Sequence, residues 1–434
     1  MHDIKEIAKN PESFADALKR RNHQIDIHYL VSLHDQVRKI AGDIDNLRAR
    51  RNEVSQLIGE SKRNKNSDID VSVLSTESKE IGVSLKQLED KRVDIESMLN
   101  DELLHIPNLP SINTPDGLSA KDNVLVREAG AKQVFEFTPR DHLEIAERLN
   151  LLDFPRGGKI TGSGFPIWTG WGAKLERALL NFMLDLHTFE HGYQEMMTPF
   201  MANRASMTGT GQIPHLEDDM YRMEKDDLFM IPTSEVTLVN LHRDDLLNES
   251  DLPLKYVAYS PNFRREAGAY GAATRGFLRV HQFNKVELVR FEKPERSSEV
   301  LEEIVSHATR ILDLLEIPYR VLKLCAGDMA FQAAMCYDIE VWAPGTEGGK
   351  YLETSSCSNC EDFQSRRANI RYRPFGGGKP VYPHTLNGSA LATSRLLVAI
   401  LENYQTEEGS LIVPEVLRKY LNGQTVITAE TEKV

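Results

Sequence analysis

From about Ile27 to Ile106 apolar residues recur at alternating steps of three and four, and this pattern limits the fold more than any other stretch of the chain. Leu30, Leu33, Val37, Ile40, Ile44, Leu47, Val54 and Ile58 keep the step with Arg51 as the one interruption. The narrow seam they predict is that of a coiled coil. A second run, Leu74, Ile81, Leu85, Leu88, Ile95, Leu99 and Ile106, continues it with polar gaps at Ser78, Arg92 and Glu102. Between the runs, Gly59 to Asp68 is polar and carries several asparagines, which reads as a turn. Two helices of about thirty residues, rising 1.5 Å each, give an antiparallel two-helix arm roughly 45 Å long. Such an arm stands outside any compact core, and periodicity alone makes it a spacer or a dimerisation element.

Domain boundaries follow from this arm. An N-terminal domain is placed over residues 1–106, with the helical coiled-coil arm at about 27–106. Pro107, Pro110 and Pro115 break the helix, so 107–118 reads as a stiff linker. Residues 119–434 form the larger domain. There, short strand-like and helix-like segments alternate without regular βαβ spacing, which predicts an α+β fold on an antiparallel sheet.

The net charge of −13 argues against wholesale electrostatic adhesion to nucleic acid and leaves room only for local basic patches. One candidate patch exists: Arg48, Arg50, Arg51, Lys62, Arg63 and Lys65 gather toward the arm's tip, where a merely solvated charged face is the alternative. The charged start Met1-His2-Asp3-Ile4-Lys5-Glu6 and the lack of any long apolar run predict a cytoplasmic protein with no membrane partner. Cys325, Cys336, Cys357 and Cys360 are too few for a disulfide framework. Cys357 and Cys360 have metal-ligand spacing but no second pair to complete a site, so no zinc is expected. Gly158-Lys159 and Gly378-Lys379 lack the upstream glycine of a P-loop, and no His-x-Gly-His or Lys-Met-Ser-Lys-Ser segment occurs.

Chemistry concentrates in a hairpin. Tyr256 to Arg265 and Phe277 to Phe291 read as two strands joined through Gly268-Ala269-Tyr270-Gly271-Ala272-Ala273, with Thr274-Arg275-Gly276 following. This brings Arg264, Glu266, Phe283 and Glu287 to one surface, a set suited to attack of a carboxylate on the α-phosphorus of ATP. Arg264 would bridge the attacking carboxylate and the phosphoryl oxygens with a planar bidentate donor. Phe283 offers a face for adenine, Glu266 an acceptor for its amino group, and Glu287 a partner for a substrate ammonium or hydroxyl. An ordinary hairpin with internally paired charges uses the same residues.

Phe263-Arg264-x-Glu266 with the returning His281-Gln282-Phe283 and Glu287 resembles motif 2 of the class II aminoacyl-tRNA synthetases, in the version of the seryl-tRNA synthetases. Two further segments agree in order: motif 1 as the helix from Trp171 to His191, through Gly192 to Pro199, and motif 3 as His384 to Arg395 with Asn387-Gly388-Ser389 at its centre. The resemblance extends over essentially the whole chain, arm included. It implies a class II catalytic domain, a serine–tRNA ligase activity, and transfer of serine from seryl-adenylate to tRNA(Ser), with tRNA(Sec) a further candidate acceptor.

The resemblance also implies site residues. Arg264 and Arg395 would be catalytic. Arg264, Arg265, Glu266, Phe283, Glu353, Thr354, Ser355, Ser356 and Arg395 would face ATP, and Glu353 with Ser356 would hold Mg²⁺, whose hardness suits oxygen donors. Thr233, Ser234, Glu235, Glu287 and Ser389 would form the serine pocket. On residues alone, Thr233-Ser234 is as well read as a helix cap, Glu353 to Ser356 as a satisfied strand edge, and Arg395 as the partner of Glu402. Gly388-Ser389-Ala390 is expected to open a helix carrying Leu391, Val398 and Leu401 inward, its small residues letting backbone approach the ligand. In the resembling family the arm contacts tRNA and motif 1 forms much of a homodimer interface. Two other readings share the scaffold: a ligase that loads a carrier protein, and a catalytically silent binding protein.

Overall fold

The computed structural model describes residues 1–63, 70–266 and 277–431. The chain divides into two units: Met1–Lys19 with His23–Pro107, and Arg20–Asn22 with Asn108–Val434.

In the first unit the heptad pattern becomes two long helices, Ile27–Arg63 and Val71–Leu104. Asp26 accepts from the Tyr29 amide at 2.9 Å and Asp70 from the Ser72 amide at 2.8 Å, satisfying donors that each helix leaves open. Leu30, Leu33, Ile40, Ile44 and Val54 are buried against Ile81, Leu85, Ile95 and Leu99, which are residues of the predicted seam. Ion pairs Arg48–Glu89 and Arg50–Glu77 cross it in antiparallel sense. Gly59, expected in the turn, lies inside the first helix, because Val54 and Ile58 keep the seam going past a residue that costs only about 1 kcal/mol relative to alanine. The helix is therefore longer than expected, about 55 Å. Residues 60–63 of the predicted turn are helical too, and its remaining residues 64–68, with Lys65, lie outside the described residues.

The second unit is built on an eight-stranded sheet: β1 Val124–Ala129, β2 Gln194–Glu195, β3 Leu254–Phe263, β4 Gln282–Glu292, β5 Tyr319–Lys323, β6 Met335–Ala343, β7 Lys350–Asn359 and β8 His384–Ala392. Their spatial order is β1-β5-β6-β7-β8-β4-β3-β2. Every neighbouring pair is antiparallel except β2 with β3. Helices Gly170–Asp185, Ser297–Leu314 and Thr393–Asn403 share one apolar core with the sheet.

Leu175, Leu179, Phe182, Met183 and Leu186 form a buried stripe at helical spacing, and Gly192 takes the left-handed backbone (φ +67°) that turns the chain toward the sheet. After Gly192 the chain pairs with β3 over Gln194–Glu195 at the sheet edge. Motif 3 also departs from expectation. Gly388, Ser389, Ala390 and Leu391 belong to central strand β8, and the helix begins only at Thr393. Gly388 is required by packing: a Cβ there would meet Ile304 at 2.4 Å and the Cys357 sulfur at 3.0 Å.

Candidate active site

Strands β3 and β4 pair from Phe263–Gln282 to Leu254–Phe291, so alternate residues of β4 face one way. Phe283, Lys285 and Glu287 thereby line a cavity of about 620 Å³ with Arg264 and Glu266 just beyond the end of β3. The connecting residues 267–276, including the predicted turn and Thr274-Arg275-Gly276, lie outside the described residues. On β7, Thr354 is an extra residue opposite the step from Ile339 to Glu340. That bulge breaks the alternation and lets Glu353, Thr354, Ser355 and Ser356 share the same wall. Ser389 of β8, Arg395 from the following helix, and Thr233 and Glu235 also line it.

Two predicted residues fall elsewhere. Arg265 turns away from the cavity, its guanidinium donating to the Asp218 carbonyl at 3.1 Å. Ser234 is wholly buried at the start of helix Glu235–Asn240 and does not line the cavity, because the helix turns successive side chains apart.

One end of the cavity is cationic and aromatic. The Arg264 guanidinium lies 5.2 Å from the centre of the Phe283 ring. Glu266 is ion-paired with Arg279 and holds a positive φ of 53°, an uncommon conformation for a residue with a side chain. Arg395 donates to the Glu353 carbonyl at 2.6 Å and approaches its carboxylate at 3.5 Å. Glu402, the alternative partner for Arg395, is instead buried and accepts from the Gly345 and Thr346 amides. The Thr354 and Ser355 hydroxyls donate to the Ala392 and Ser389 carbonyls at 3.4 and 2.6 Å, so they also fasten this wall to β8.

The other end is small, buried and acidic. Glu287 is buried and ion-paired with Lys285, and receives Asn387 Nδ2 at 3.1 Å and the Ser389 hydroxyl at 3.3 Å. Lys285 also donates to the Thr233 hydroxyl at 3.0 Å. Glu235 accepts from Gln364 Nε2 at 2.6 Å, and Gln364 is itself fixed by the Thr385 hydroxyl at 2.6 Å. Burial, reinforced by the nearby Glu287 charge, pushes the Glu235 carboxyl up to about 7. Sequence reasoning missed Lys285, Asn387 and Gln364. The first was available from the two-residue step Phe283-Lys285-Glu287, whereas Gln364 meets Glu235 only through the fold.

An antiparallel sheet carrying an arginine, an aromatic face and acidic residues at one cavity is the arrangement of a class II aminoacyl-tRNA synthetase core, and the chain has that core. The tRNA synthetase class II core domain (G, H, P, S and T) matches residues 217–404, and the seryl-tRNA synthetase N-terminal domain matches residues 1–110. The chain belongs to the seryl-tRNA synthetase family and is an aminoacyl-tRNA ligase. It is 50% identical to the serine–tRNA ligase of Nitratidesulfovibrio vulgaris strain Hildenborough over 99% of this chain and all of that one. Identity to the Prosthecochloris aestuarii serine–tRNA ligase is 52% over 97% of each. The seryl-tRNA synthetase of Pyrococcus horikoshii, solved with ATP, superposes with a TM-score of 0.92 at 37% identity over 99% of both chains. The cytoplasmic serine–tRNA ligase of Naegleria fowleri, solved with AMP, gives 0.87 at 29% over 99% of both.

Proposed function

We propose that this cavity activates L-serine with ATP and that the chain then transfers the seryl group to tRNA(Ser), the reaction of a serine–tRNA ligase. One observation carries the reading: a single cavity joins a cationic, aromatic end to a small acidic end. A serine carboxylate oxygen forms a bond to the α-phosphorus while the bond from that phosphorus to the bridging oxygen breaks, and pyrophosphate leaves with the electron pair. Arg264 stabilises the charge developing on the α-phosphoryl oxygens, Phe283 receives adenine, and Arg395 steers the terminal phosphate. Glu266 accepts from the adenine amino group once its contact with Arg279 yields. Thr233, Glu235 and Glu287 bind the serine ammonium and hydroxyl, with Ser389 beside them. A terminal ribose hydroxyl of tRNA then attacks the seryl carbonyl and AMP departs. No enzyme nucleophile takes part.

Buried polar groups at the acidic end favour serine over alanine, which would leave them unpaired. Glu353 and Ser356 offer two oxygen donors beside the phosphate end, which suits Mg²⁺ completed by phosphates and water. When bound, that ion neutralises phosphate charge. The arm would contact tRNA phosphates through exposed Arg51, Lys62 and Arg63, since Arg48 and Arg50 are already paired with Glu89 and Glu77. A homodimer through motif 1 is supported by Phe189 and Met197, 86% and 90% exposed in that segment. We place the enzyme in the cytoplasm, in keeping with four buried unpaired thiols.

Serine-dependent ATP–pyrophosphate exchange tests activation, and charging of tRNA against a carrier protein tests transfer. Exchange with another amino acid but not serine, or transfer to a carrier alone, overturns the reading.

A further inference from the structure

Glu176 lies in the helix Gly170–Asp185, is only 6% exposed, and has no role in the reaction described above. Its Oε1 accepts from Asn284 Nδ2 at 2.7 Å and from the Thr393 hydroxyl at 2.6 Å. Asn284 directly follows Phe283 on β4 and points to the opposite side of the strand, while Thr393 opens the helix that carries Arg395 two residues later. A single oxygen therefore joins the two segments that supply Phe283 and Arg395 to the nucleotide end of the cavity, segments that also meet where the Thr393 hydroxyl lies 3.1 Å from the Asn284 carbonyl. The Tyr259 hydroxyl extends the chain by donating to Asn284 Oδ1 at 3.2 Å.

Oε2 has no hydrogen-bond partner among the described residues, and the carboxylate borders a cavity of about 90 Å³ walled by Phe165, Trp168, Phe277 and Phe283. Burial pushes the carboxyl up to about 6, opposed by its hydrogen bonds from Thr393 and Asn284. An uncompensated buried carboxylate is a costly way to fill an apolar core. Its return is two charge-assisted hydrogen bonds, stronger and more directional than neutral ones.

We infer that Glu176 is a positioning residue for ATP, holding Phe283 and Arg395 at the separation that the nucleotide requires. This rests on reading the cationic end as the ATP site. The acidic end is held by separate contacts, from Lys285, Asn387 and Gln364, so loss of Glu176 acts on one substrate only.

The test is serine-dependent pyrophosphate exchange with Glu176→Ala and Glu176→Gln in the full chain. Losing a hydrogen bond to a charged group predicts that Glu176→Ala raises the KM for ATP by about tenfold or more while the KM for serine stays within about twofold. Glu176→Gln keeps an oxygen acceptor and restores most of the ATP KM. A purely structural residue would lower kcat through the active fraction and move neither KM. An unchanged ATP KM in folded Glu176→Ala, a joint rise of both KM values, or a glutamine variant as impaired as alanine overturns the inference. If the alanine variant does not fold, Thr393→Val removes one of the two donors and must raise the ATP KM selectively; an unaffected ATP KM there overturns it equally. Absence of exchange in the unsubstituted enzyme would strike the ATP reading instead.

Discussion

Lys285 and Glu287, two residues apart on the same face of β4, form an ion pair in the wall of the cavity where both side chains are almost wholly buried. The pair is not isolated, since Lys285 also donates to Thr233 and Glu287 receives Asn387 and Ser389. Removing one member of such a pair strands the other charge, and Glu235 would add repulsion. Lys285→Met is expected to destabilise the protein by about 3 kcal/mol and to raise the serine KM more than the ATP KM. Urea denaturation and exchange kinetics check both. A stability change below about 1 kcal/mol would mean that Asn387 and Ser389 suffice to hold Glu287.

Glu235 predicts a pH dependence. Its folded-state carboxyl titrates at about 7 rather than 4.5, chiefly through burial and secondarily through Glu287. The folded state thus holds the proton more tightly than the unfolded chain. Its contribution to stability is fullest below pH 4.5 and falls as pH rises toward 7, by on the order of 3 kcal/mol in all. A serine ammonium favours the charged carboxylate, so binding releases a proton and serine affinity rises with pH through about 7. Calorimetry in buffers of different ionisation enthalpy measures the release. Glu235→Gln should abolish it, and a variant that still releases the proton would assign the titration elsewhere.

Arg264→Ala should lower the exchange rate by about 10² to 10³, the loss typical of removing one preorganised donor from a developing oxyanion. The fold should survive, because the Arg264 amide, which bonds to the His281 carbonyl at 3.0 Å, is retained. Circular dichroism and exchange kinetics on the same preparation separate the two. Near-normal exchange would remove Arg264 from the transition state.

Particular residues show why some of this was legible in the sequence. The arm was readable because a seam repeats over many turns, so one misleading residue, Gly59, displaced only its end. The Phe283-Lys285-Glu287 face was readable because a strand alternates strictly. Only the start of the motif 3 helix is misplaced, at Gly388 rather than Thr393, because Asn387-Gly388-Ser389-Ala390 has neither helical nor strand periodicity. Its state is decided by pairing with β4 and β7, which lie on either side of it. Gln364 and Glu235 are 129 residues apart, and Glu176 reaches Thr393 across 217, so neither contact leaves any local trace. Such contacts adjust charge and position inside a site whose outline the motifs already draw.

The arm supplies the last prediction. The arm and the eight-stranded sheet belong to separate compact units, and the sheet's unit has its own apolar core. Removing Arg38 to Glu96, with the ends rejoined by a short turn, should leave serine-dependent exchange within about twofold while abolishing tRNA charging. A gentler variant sharpens this. Replacing Arg51, Lys62 and Arg63 with glutamate leaves the apolar seam residues in place, yet removes three exposed cations of the tip cluster that the Arg48–Glu89 and Arg50–Glu77 pairs do not use. If these three side chains meet phosphates, the tRNA KM should rise and the slope of log affinity against log salt should fall by roughly one per lost contact. Filter-binding measurements across a salt series read that slope directly. Charging that persists after the deletion, or an unchanged slope in the glutamate variant, would make the arm a spacer.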